Sequence, residues 1–102
     1  MAQKLTPADN KFVEKFLKEK IEGMANPQIR SNRFTGQMVE VEPVVAAAID
    51  FVYAVEGAMQ RGDAALQRIN PNLKMTNAVS NFDRARYIVM KLNPKAYSTI
   101  LD

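Results

Sequence analysis

Residues 43 to 59 read PVVAAAIDFVYAVEGAM, a run interrupted only by Asp50 and Glu56, and nothing else in the chain limits the possible folds so sharply. A membrane span needs roughly 18–20 predominantly apolar residues, so a shorter run carrying two carboxylates points to a buried helix instead. No membrane partner is expected. Pro43 suits a first helical position, and Gly62 is placed to end the helix.

At 100° per residue the helix sorts into two sides. Val44, Val45, Ile49, Phe51, Val52, Val55 and Met59 form a bulky arc. Ala46, Ala47, Asp50, Ala54, Gly57, Ala58 and Arg61 form a slender one. Small side chains let a second backbone approach closely, so the helix is expected to be covered on both sides, the slender face by a further stretch of polypeptide. Asp50 lies in that slender face. A carboxylate removed from water without a partner costs several kcal/mol, so Asp50 is expected to bind an arginine on a different helix or chain. Arg61 sits about 16 Å along the same helix and is too distant. Arg84, Arg86, Arg30, Arg33 or a residue of another subunit are the candidates.

The rest of the chain supplies what packs around this helix. Thr6, Pro7 and Asp9 form a helix start, with a capping hydroxyl, a first-position proline and an acid at the positive end of the dipole. Leu5, Ala8, Phe12, Phe16, Leu17, Ile21 and Met24 then recur near the helical period. Asn-Pro pairs at 26–27, 70–71 and 93–94 each follow a helix-like segment and act as stops. Residues 28 to 42 have mixed polarity and a short alternation from Met38 to Glu42, which predicts a long connection containing an extended piece. Asp63 is placed to cap a short helix through Ile69. Thr76 is placed to cap a longer one from about 77 to 92, whose Met75, Ala78, Phe82, Ala85, Val89 and Leu92 make a three-four seam for another helix. A last short helix spans Lys95 to Leu101.

These elements predict an all-α fold: a small helical bundle of three main helices and two short ones, with a long loop after the first. The 102 residues fit one helical domain, 1–102.

The chain holds no histidine and no cysteine, which removes the usual proton-transfer side chain near neutral pH, thiol nucleophiles, disulfides and thiolate metal sites. Its four glycines are isolated, so no phosphate-cradling loop is present. No enzyme activity, catalytic residue, cofactor or metal is expected. The first twenty residues carry five lysines and no apolar run of signal-peptide length, which makes the cytoplasm the expected compartment.

Association with protein is the preferred reading: a non-enzymatic interaction or assembly module, self-associating in its simplest form. Its surface is expected to include Ala47, Asp50, Ala54, Gly57 and Arg61 of the slender face and Arg30, Arg33 and Phe34 of the 28–42 connection. The alternative is nucleic acid. The net charge of +3 arises from residue 63 onward, and Lys74, Arg84, Lys91 and Lys95 could follow a phosphate backbone.

Overall fold

In the computed structural model, which describes residues 4–25 and 27–101, the chain forms five helices and a small antiparallel sheet. The first helix, α1, is composite: α-helical over Pro7–Phe12, π-helical over Val13–Leu17 and α-helical again over Lys18–Glu22. Strands β1 (Gln28–Ser31) and β2 (Met38–Val41) follow, then α2 (Pro43–Met59), α3 (Asp63–Ile69) and α4 (Met75–Leu92). A short α5 begins as Pro94–Ala96 and widens into a π turn, Tyr97–Leu101. No helix among the described residues is long and apolar enough to cross a membrane.

The π segment of α1 has a cause in the sequence. Leu5, Phe12 and Phe16 lie within about 40° of one another on a regular helical wheel, and Leu17, Ile21 and Met24 within about 60°, but the two arcs are offset by about 130°. One residue advances an α-helix by 100°. A wide turn that takes up one extra residue brings both arcs onto the same side, and Phe12 and Leu17 are both buried. Thr6 caps the helix as expected: its hydroxyl accepts from Asp9 N at 3.1 Å, and its own amide donates to Asp9 Oδ2 at 3.0 Å. The stop assigned to Asn26-Pro27 lies outside the described residues at Asn26.

The all-α expectation requires correction at residues 28–41. They form a hairpin in the register Gln28↔Val41, Ile29↔Glu40, Arg30↔Val39 and Ser31↔Met38. Asn32 holds its turn. The Asn32 carboxamide oxygen accepts from Phe34 N at 2.7 Å and Thr35 N at 3.0 Å, while its nitrogen donates to Thr99 O at 3.0 Å. Gly36 supplies the positive φ of 77° that brings the chain back.

Two other starts differ from expectation. Asp63 does not cap its own helix; its carboxylate accepts from Met75 N at 2.6 Å and serves the N-terminus of α4. Helix α4 therefore begins before Thr76, and Asn77 Oδ1 reaches back to Lys74 N at 2.8 Å.

The buried side chains form one cluster centred on α2, which packs chiefly against α4. Leu17, Ile49, Leu66, Leu73 and Ile88 are fully enclosed, each contributing about 1.5–3 kcal/mol by leaving water. Phe51 of α2 meets Phe12 edge-on at 5.2 Å and Phe16 at 5.6 Å, and these contacts fix α1 against α2. Of the three-four seam on α4, Ala78, Ala85 and Val89 are spent inside the chain.

Candidate interaction surface

The slender face of α2 divides in two. Ala46, Ala47 and Ala58 are buried within the chain, whereas Ala54 is half-buried and Gly57 and Arg61 are exposed. Coverage by the chain's own elements thus ends partway along the face. Beside that point a cleft of about 450 Å³ is lined by Lys15 and Phe16 of the π turn, Phe51, Ala54, Ile69 and Pro71. A Cβ placed on Gly57 would meet nothing within 4 Å.

Asp50 has the arginine partner expected of it, but that partner lies on β1 rather than on another helix or chain. Arg30 Nε donates to Asp50 Oδ1 at 2.8 Å and Nη2 to Oδ2 at 2.9 Å, the two-pronged geometry that suits guanidinium and carboxylate. Lys20 Nζ stands 4.0 Å from Asp50 Oδ2. Arg30 faces inward because Val39, its cross-strand neighbour, also faces the body, and Asp50 removes the cost of burying the guanidinium.

Arg33, one turn of hairpin further, pairs with Glu56 at 2.6 Å and lies over the rings of Tyr53 at 4.6 Å and Phe34 at 5.2 Å. Tyr53 Oη is within 3.4 Å of Ser31 O and 3.3 Å of Ile100 O, so its single hydrogen serves one or the other. Burial pushes the Tyr53 phenol above its ordinary value; Arg33 opposes this and Glu56 adds to it. Hairpin, α2 and α5 are therefore tied together at one place.

The outward side of this anchored hairpin carries three exposed apolar side chains beside the exposed Ser31 and Glu40. Phe34 is 85% exposed, Met38 72% and Ile29 61%. Ile29 and Met38 point the same way on diagonal positions of adjacent strands, with Phe34 on the turn beyond. The alternation from Met38 to Glu42 foreshadowed β2. Nothing comparable marked β1, whose apolar Ile29 faces out and whose charged Arg30 faces in.

The four cations of the basic stripe separate. Arg84 Nη1 donates to Asp9 Oδ1 at 3.0 Å and Lys91 Nζ to Asp9 Oδ2 at 2.6 Å, while Lys74, just before α4, and Lys95, in α5, are exposed. Arg84 and Lys91 thus face α1 rather than forming an outer face. Asp9 is fully buried. Burial alone would raise its carboxyl, but Lys91, the Thr6 amide, Arg84 and the Thr6 hydroxyl outweigh that and hold it far below the ordinary aspartate range. In the sequence Asp9 is legible only as a helix-start acid, since its partners lie 75 and 82 residues away.

In comparisons with known proteins, no family model, no curated protein and no solved structure matches the chain.

Proposed function

We propose that the chain is a non-enzymatic assembly module that binds other protein chains, copies of itself included. The observation that carries the reading is the hairpin, which holds three large apolar side chains in water on a backbone fixed from beneath by Arg30–Asp50, Arg33–Glu56 and Asn32. Exposed apolar groups gathered at one place favour association, and a pre-ordered segment loses little conformational freedom when it docks. Phe34 and Met38 are residue types enriched where protein surfaces meet.

A pull-down with the wild-type chain and with a Phe34→Ser/Met38→Ser variant, read by mass spectrometry, tests the reading. Proteins retained by the wild type should be lost with the variant, whose melting temperature should be nearly unchanged because both positions are exposed. Identical retention would remove the hairpin from the proposal. Titration with duplex and single-stranded nucleic acid at two salt concentrations separates this reading from phosphate binding, which weakens steeply as salt rises.

A further inference from the structure

Helix α4 carries a second apolar stripe that its own chain does not cover. Val79 is 61% exposed, Tyr87 55%, Met75 46% and Met90 37%, although each could have been polar at no cost to the core. At 100° per residue, Val79, Asp83, Arg86, Tyr87 and Met90 fall within an arc of about 100°, beside the arc of Ala78, Phe82, Ala85, Ile88 and Val89 that packs into the core. Val79, Asp83, Arg86 and Met90 step by four, three and four residues, the spacing of a helix-pairing seam.

The only charges on this stripe are one acid and one base. Asp83 and Arg86 approach each other at 3.8 Å, too far for a hydrogen bond. Arg86 uses Nη2 on Tyr97 Oη at 3.0 Å and keeps its other donors. The order of residues is self-complementary when the helix is reversed. With a two-fold axis passing beside residues 84 and 85, Val79 meets Met90 and Asp83 meets Arg86 of the other copy, each pair occurring twice, while Tyr87 lies on one flank of the pair. Apolar faces apolar, and acid faces base.

We infer that α4 is the self-association surface of this chain, pairing antiparallel with α4 of a second copy. The inference rests on the assembly reading and gives it a geometry, leaving the hairpin free for a different chain. One helix pair buries less than the roughly 1,200–2,000 Å² of a stable interface, so the dimer is weak, with a dissociation constant of roughly micromolar to millimolar size.

Sedimentation equilibrium from about 10 μM to about 1 mM tests it. The wild-type mass should rise toward two chains. Asp83→Arg and Arg86→Asp, each placing like charges opposite one another, should each remain at one chain. An equimolar mixture of the two should recover the dimer, because both crossed pairs are then opposite in sign. Val79→Asp should also hold the mass at one chain without touching the Arg86–Tyr97 bond, and circular dichroism should report folded protein in every case. A wild-type dimer that Asp83→Arg and Val79→Asp leave intact overturns the α4 pairing while preserving assembly through another surface. A wild-type mass of one chain throughout also overturns it, and hairpin capture then decides the assembly reading separately.

Discussion

Arg30 and Asp50 are joined by two parallel hydrogen bonds of 2.8 and 2.9 Å, and through them an otherwise two-stranded sheet is bolted to the central helix. An isolated hairpin is marginal in water, so this one depends on what lies beneath it. Both side chains are about a quarter exposed, at 22% and 26%, which places the pair between a screened surface bridge and a buried one.

Asp50→Asn removes the charge and one of the two strong acceptors. A loss of about 1–2 kcal/mol is expected, a drop in melting temperature of about 4–15 °C for a chain of this size. Amide exchange should accelerate first in β1 and β2, before the helices. Unchanged stability and unchanged hairpin exchange would mean that the pair contributes nothing.

Asp9 is the more demanding site. Asp9→Ala leaves Lys91, 19% exposed, without its carboxylate, while Arg84, 42% exposed, can turn to water, so it should cost about 2–3 kcal/mol, measurable by urea unfolding. Its pH dependence follows from a folded-state carboxyl held below its unfolded value. The stabilisation is fully present above the ordinary value of 3.8 and is lost progressively as the pH falls below it. Wild-type stability should therefore show no Asp9 contribution to its slope between pH 5 and 8. The acid-side decline should shrink in Asp9→Asn.

Asn32→Ala removes two acceptor contacts to the hairpin turn and the donor to Thr99. A cost of about 1–3 kcal/mol is expected, with Phe34 losing its fixed position. Partner capture should fall along with stability. Phe34→Ser should reduce capture alone, and that contrast separates positioning from contact.

The two glycines flanking the end of α2 should respond with opposite sign. Gly57 is helical, exposed and without neighbours to obstruct a methyl group, so Gly57→Ala should stabilise the chain by about 0.5–1 kcal/mol. Gly62 has φ +98°, so Gly62→Ala should cost about 1–2 kcal/mol despite equally open space. Thermal melts of the two variants check both signs. If the open end of the slender face docks a partner, Gly57→Leu should weaken capture while leaving the fold intact.

What was legible in the sequence was local. Thr6 with Asp9, Pro43 at the first position of its helix and Asn93 before Pro94 each act within one turn, and each acts where expected. The need of Asp50 for a cation was legible too, because it follows from the apolar company it keeps. Which cation was not, since Arg30 stands in a strand whose pattern is inverted: its polar residue turns inward because Asp50 awaits it. For the same reason β1 has no alternation, and the sequence pattern predicts an all-α fold with an extended piece only near 38–42. On α4 the periodicity named one seam and missed the other, because a stripe containing Asp83 and Arg86 resembles a solvated side until exposure is known. The long-range clamp of Arg84 and Lys91 on Asp9 has no local trace at all.

The wide turn at Val13–Leu17 carries a consequence for how this chain can change length. Because it holds one residue more than a regular turn, excising a single residue there would yield an uninterrupted α-helix with Asp9 and Phe12 on one side and Leu17 and Ile21 on the other still facing inward. The same excision anywhere else in residues 7–22 would rotate one half of the helix away from the interior. Gene variants one codon shorter should therefore be tolerated at this turn and purged from its flanks, a pattern that deletion scanning would read directly.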